Sequence, residues 1–376
     1  MNALRPLAVL AVAVLSITPL RLSAQLTNAF ELRDGDRVVL VGDTLVERER
    51  ADGHIEYLLT TQFPERNVTF RNLGWSADTP LGQARVGFDH SKTSEAWFQQ
   101  LTNSVAQLKP TVVLLGYGMA SSFAGEAGLP KFMADLGKLI DAIQQNAGDT
   151  KLRWVLLSPI AHEKRPPPLP APSKHNAQLA LYTKAIKDLA ALRGTHFVNL
   201  FEALDQSKFK VAVPPLTDNG IHLNDYGYRR AAEAIRAALN WNRRFWRYGI
   251  TPGGKIRRGS NGAEVTAIES ETNRLRMNFQ AERIDPPPWT EGDLPPSLLQ
   301  QANRLQLTCL LAGQYDLFID GQFIKPVKPA DLVEGVIFDR GPQFDQAEEL
   351  RQAIRKKNES APARTHRAPR PARRRR

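Results

Sequence analysis

Between residue 25 and about residue 240, short apolar runs alternate with longer stretches of helical periodicity. That alternation constrains the fold more than any other feature of the chain. Arg37 to Val41 and Thr111 to Leu115 are apolar almost throughout, and residues 67–73, 152–157 and 197–200 read as three further strands. Between them, apolar side chains recur at helical spacing through Ile55, Leu58 and Leu59, then over residues 96–108, 129–143, 179–192 and 226–239. Gly194 stands where the fourth of these helices should stop. Strands that are apolar on both faces and separated by helices cannot pair through tight hairpins. They need crossover connections and therefore a parallel sheet covered on both sides. The expectation is a three-layer α/β/α, flavodoxin-like domain over residues 25–245.

The pattern changes after Trp246. Residues 250–340 are rich in Gly and Pro and show short alternating segments, the clearest being Tyr315 to Ile324 around Asp320-Gly321, a strong two-residue hairpin signal. A small β-rich accessory domain is expected over 246–340 and one helix over 341–357. Residues 358–376 lack large apolar side chains and read as a disordered basic tail. At the junction, Arg243-Arg-Phe-Trp-Arg-Tyr248 reads as aromatic packing between the two domains.

Open α/β sheets build their sites at the carboxyl ends of the strands. The first strand runs into Gly42-Asp43-Thr44-Leu45, and the second leads to Asn72-Leu-Gly-Trp-Ser-Ala-Asp-Thr79. The third ends in Gly116-Tyr-Gly-Met119, and a late loop carries Thr217-Asp-Asn-Gly-Ile-His-Leu-Asn-Asp225. In order and spacing, these four segments resemble the blocks of the SGNH/GDSL hydrolase superfamily. The resemblance covers about residues 34–240, including Pro159, the His175-Asn176 loop and the last helix.

The resemblance implies an ester hydrolase. It puts Thr44 at the nucleophile position, Ala77 and Gly118 at the oxyanion positions, and His222 at the base. Asp218 or Asn219 then stands at the other imidazole nitrogen. Such a site works because a hydroxyl needs an imidazole to take its proton, and the imidazole needs a partner that fixes its tautomer.

Each block departs from the superfamily's pattern. Thr44 replaces serine, keeping the hydroxyl but adding a methyl that stiffens χ1 and crowds the attack. Thr44-x-x-Glu47 also reads as a helix capping box. Ala77 replaces glycine and retains the backbone N–H. Gly118 and Met119 stand where asparagine and aspartate belong, so one amide donor is missing; losing such a donor costs about 10²–10³ in turnover. Three residues before His222 stands Asn219 rather than aspartate, with Asp218 one position earlier. Two readings stay open: an ester hydrolase acting through a Thr/His site, on an acyl group of a small molecule or carbohydrate, or a non-catalytic protein of the same fold binding glycan or a protein partner.

Charge narrows the partners. The chain carries 50 Lys+Arg against 39 Asp+Glu, a net of +11. The excess sits in residues 1–24 and 355–376, leaving 25–354 neutral, so the basic balance does not argue for a nucleic-acid-binding domain. The tail could touch anionic surfaces. Residues 1–24 read as a secretory signal peptide, with Arg5, an apolar run from Leu7 to Leu20 and Leu22-Ser-Ala24 before the cleavage point. Secretion or a periplasmic location follows, with no transmembrane segment after cleavage. The single cysteine, Cys309, lies in an apolar run and is expected to be buried and inert. No phosphate loop, dinucleotide fingerprint or zinc-helix motif occurs, and no cofactor or metal is expected.

Overall fold

The computed structural model describes residues 29–209, 212–241, 246–251, 255–256, 260, 262–271, 274–281, 303–308, 310–338 and 340–360. The signal-peptide expectation, Cys309 and residues 361–376 of the tail lie outside them.

The alternation produces the expected domain. Five strands, β1 (Arg37–Gly42), β2 (Thr69–Asn72), β3 (Val112–Gly116), β4 (Arg153–Leu157) and β5 (His196–Val198), form one parallel sheet in the order β2-β1-β3-β4-β5. Successive residues of β1 face opposite cores. Val38 and Leu40 pack with helices α1 (Thr44–Asp52), α2 (His54–Gln62) and α8 (Asp225–Ala238). Val39 and Val41 pack with α3 (Ser94–Gln107), α5 (Gly125–Asn146) and α6 (Ser173–Arg193). Two short helices, α4 (Met119–Ser122) and α7 (Leu200–Ala203), follow β3 and β5. The α6 helix ends at Gly194, whose φ of 61° is the left-handed cap that glycine adopts without strain.

Beyond Trp246 the described sheets are small, of two or three strands each. Strand β6 (Arg247–Ile250) pairs in parallel with β9 (Arg304–Leu307), which pairs antiparallel with β12 (Val336–Ile337). Strands β7 (Ala263–Glu271) and β8 (Arg274–Ala281) form one hairpin. Strands β10 (Tyr315–Ile319) and β11 (Gln322–Val327) form another, turned by Asp320 and Gly321 at φ 49° and 80°. Trp246, Tyr248, Leu305, Phe338 and Phe344 share one core here. Of the segment expected to pack between the domains, Trp246 and Tyr248 instead pack inside the β-rich region, with Trp246 and Phe338 rings 5.0 Å apart, and residues 243–245 lie outside the described residues.

Helix α9 (Pro329–Glu334) precedes β12, and α10 (Pro342–Ser360) closes the described chain. This last helix is longer than the expected 341–357 and returns to the α/β domain. Phe344 packs in the β-rich core, whereas Ala347 and Ile354 pack on Tyr57 of α2. Asn358 is buried and donates to Glu56 at 3.1 Å, so residues 358–360 belong to the folded body and not to the tail.

Candidate active site

Strand β1 delivers Asp43 and Thr44 to the carboxyl edge of the sheet. Asp43, not Thr44, caps α1: its side chain accepts from Leu45 N–H at 3.2 Å, and its other oxygen accepts from Met119 N–H at 3.3 Å. The capping box expected at Thr44-x-x-Glu47 is therefore not formed. The Glu47 carboxylate instead accepts from Arg50 at 2.8 Å and from the Ser76 hydroxyl at 3.0 Å. Thr44 is the first helical residue, half-buried, and its Oγ1 accepts the Ala77 N–H at 2.7 Å. The hydroxyl at the nucleophile position and the amide at the oxyanion position thus meet directly.

Backbone geometry puts Ala77 there. Asn72 donates to Val46 C=O at 2.7 Å and accepts from Gly74 N–H at 2.9 Å, while Trp75 N–H donates to Gly42 C=O at 3.0 Å. Gly74 lies so close to α1 that a Cβ would sit 2.3 Å from Glu47 N. Ala77 itself has φ 54°, the left-handed region, which costs an alanine about 1 kcal/mol. The next residue, Asp78, is buried and bonds Arg85 at 2.9 and 2.7 Å. Burial pushes the Asp43 carboxyl up to about 7 against the pull of the Leu45 and Met119 N–H groups, and the nearby Asp78 charge adds to the rise.

Gly118 offers no side chain and its N–H turns toward Asp43. At φ 134°, with a Cβ due 3.2 Å from Pro159 Cδ, the position has no room for an unstrained asparagine. The amide missing from the third block would be strained here, by the backbone first and by Pro159 second.

The Thr217–Asp225 loop brings His222 to the same end of α1. Burial, and secondarily Arg48, hold the His222 imidazole below its usual range, while Asp218 and Glu47 oppose them. Asp218 pairs through its carboxylate with Arg48 at 3.2 Å, not with the imidazole. Asn219 is the ring's partner: its Nδ2 lies 3.0 Å from His222 Nδ1, and its Oδ1 accepts the N–H groups of Ile221 (3.3 Å) and His222 (3.1 Å). Thr44 thus meets Ala77, and His222 meets Asn219 near Glu47 and Arg48 of α1, whereas Gly118 and the Asp218 carboxylate face other groups.

Residues that the sequence did not single out hold this loop. Glu163 is buried; it accepts from Leu216 N–H at 3.0 Å, from Thr217 N–H at 2.8 Å and from the Thr217 hydroxyl. Its own N–H donates to Gly220 C=O at 2.8 Å. His162 packs beneath Gly220, and its Nδ1 lies 3.1 Å from that of His175, whose Nε2 lies 2.8 Å from Ser122 Oγ. Burial, then the neighbouring His162, lower the His175 imidazole to about 4. Asn176 does not cap α6: it accepts from His162 N–H at 2.7 Å and donates to His162 C=O at 2.9 Å. No pattern along the sequence links Glu163 or His162 to residues more than fifty positions away.

Among the described residues no group of three or more His, Cys, Asp or Glu is placed to hold a metal ion. Nor is any described helix long and apolar enough to cross a membrane.

Comparison with known proteins bears on the fold and the family. A solved structure described as BT4096, a gut microbial diltiazem-metabolizing enzyme, superposes with a TM-score of 0.67 at 18% identity, covering 89% of this chain and 79% of that one. At that identity the likeness is one of fold, and it reaches beyond the α/β domain. A catalytic mutant of the acetylxylan esterase Axe2 from Geobacillus stearothermophilus covers 57% of this chain at 16% identity with a TM-score of 0.43, 98% of its own length being matched. An alpha/beta hydrolase enzyme, LAE5, from the metagenome of Lake Arreo covers 56% of this chain and 97% of its own at 22% identity, with a TM-score of 0.41. No curated protein sequence matches. Residues 40–230, from the middle of β1 into α8, match the GDSL-like Lipase/Acylhydrolase family, and the chain belongs to that family.

Proposed function

We propose that this protein is an exported ester hydrolase acting through Thr44 and His222 on an acyl group carried by a small molecule or a carbohydrate. The observation that carries the reading is the 2.7 Å contact between Ala77 N–H and Thr44 Oγ1. A carbonyl carbon attacked by that oxygen places its own developing oxyanion beside the same N–H, where a fixed donor acts most strongly. In the reaction, Thr44 Oγ1 forms a bond to the carbonyl carbon while its proton passes to His222 Nε2. The intermediate collapses, the C–O bond to the leaving alcohol breaks, and His222 returns the proton to that alcohol. Water then cleaves the acyl-threonine by the same proton relay. Export rests on the signal-like residues 1–24, and the carbohydrate option rests on the superfamily resemblance.

One observation favours the second reading, a non-catalytic protein that binds through this cleft: Asn219 presents its Nδ2, a donor, to His222. Turnover of a chromogenic short-chain ester by the purified chain separates the two. The hydrolase reading expects turnover that Thr44→Ala and His222→Ala each abolish, with the double variant no worse, since nucleophile and base act as a unit. Absence of turnover in the wild type, or its survival in both single variants, overturns the reading.

A further inference from the structure

We infer that Asn219 holds neutral His222 in the tautomer with its proton on Nε2, and that this one amide sets the speed of the site. The second half of the inference rests on the proposed hydrolase function; the first half stands alone.

The direction of the amide follows from its other contacts. Asn219 Oδ1 accepts two backbone N–H groups, those of Ile221 and His222, at 3.3 and 3.1 Å. Turning the amide over would set Nδ2 against both donors, so the oxygen stays on the backbone and Nδ2 faces the ring. Nδ2 has only protons to offer, so His222 Nδ1 at 3.0 Å must accept. A neutral imidazole that accepts at Nδ1 carries its proton on Nε2. The Nε2 atom that should take the Thr44 proton is then already protonated, and reaction waits for the minor tautomer. Aspartate here would accept at both oxygens, keep the two backbone bonds, and draw the ring proton to Nδ1. The neighbouring Asp218 does not take over that task, because its carboxylate is turned to Arg48.

Replacing the corresponding carboxylate by an amide in serine proteases costs about 10⁴ in turnover for this tautomeric reason. The reverse change, Asn219→Asp, is nearly isosteric and should raise kcat tenfold or more with little change in KM.

Two readouts on the full chain test the inference. In the wild type labelled with ¹⁵N-histidine, at a pH where the ring is neutral, long-range ¹H–¹⁵N spectra should show His222 with Nε2 protonated and Nδ1 bare; His222→Gln identifies the signals by their loss. A wild-type ring protonated on Nδ1 overturns the tautomer assignment, whether or not any variant folds. In Asn219→Asp the proton should move to Nδ1, and kcat should rise. A moved proton with unchanged turnover overturns the rate-setting role. The expected spectra with no turnover in either protein uphold the tautomer and overturn the hydrolase function instead.

Discussion

The two ends of helix α1 are built on opposite principles. At its N-terminal end, Thr44, Glu47 and Arg48 are half-buried and make side-chain contacts chiefly to loops: Ala77, Ser76 and Asp218. At its C-terminal end everything is locked. Buried Glu49 accepts the N–H groups of Ile55 and Glu56 at 2.7 and 3.1 Å, joining α1 to α2 across the left-handed Gly53. Asp52 C=O accepts from Arg351 of α10 at 2.6 Å, and Arg351 also reaches Asp225 at 3.1 Å. His54, buried, bonds Asp225 at 3.0 Å, so the locked end also holds the loop that carries His222. The difference teaches that the candidate-site end is positioned from the far end: its own groups stay half-buried against loops, while α10, α2 and α8 fix the helix behind them.

The largest effect should come from removing the lock. Deleting residues 342–376 strips Ile354 and Ala347 from Tyr57 and takes Lys357 and Asn358 from the buried Glu56. The loss should be about 4 kcal/mol in urea unfolding, from apolar burial plus charge-assisted bonds. Unchanged stability would break the comparison.

A pH-dependent effect of a few kcal/mol belongs to the open end. The Asp43 carboxyl holds its proton to about pH 7 in the folded protein, against an ordinary value of 3.8. Between those values the unfolded chain binds fewer protons, so stability present at low pH is lost as pH rises from about 4 to 7. Asp43→Asn removes that titration, and the wild type should lose stability relative to the variant across this range. Parallel unfolding curves would mean that Asp43 titrates normally.

A smaller change sharpens the closed end. Gly53 has φ 76°, and a Cβ would lie 3.2 Å from Arg355 Cγ. Gly53→Ala should cost about 1–2 kcal/mol in thermal or urea unfolding. A neutral outcome would show that α10 yields there. Smallest is Arg48→Gln, which removes an ion pair with side chains 39% and 59% exposed and should cost under about 0.5 kcal/mol. It also removes a charge that lowers the His222 imidazole, so the acidic limb of the pH–rate profile should move upward. A downward move would show that Arg48 does not lower the ring, since freeing the Asp218 carboxylate would also raise it.

Much of the fold was legible because its causes are local. Val38 to Val41 and Val112 to Leu115 are apolar on both faces because both faces are covered. Gly194 and Asp320-Gly321 marked a helix stop and a hairpin because those backbone conformations suit few other residues. The Gly53 break between α1 and α2 was not read, since helical periodicity persists on both sides of it. The docking of α10 was invisible, its partners Glu56 and Tyr57 lying about 300 positions away.

The site divides in the same way. Sequence alone determined which residue types stand at the four strand-end segments, and the family resemblance pointed to Thr44, Ala77 and His222 among them. Tertiary structure alone decided what each polar atom faces. It gave the helix cap to Asp43 and turned the Thr44 hydroxyl to Ala77. It strained the position of Gly118 against an amide, sent Asp218 to Arg48, and set the donor of Asn219 against His222. The reason is physical: periodicity and turn preference act between near neighbours in the chain, whereas a hydrogen bond's partner and direction are fixed by whichever groups the folded backbone leaves within 3 Å.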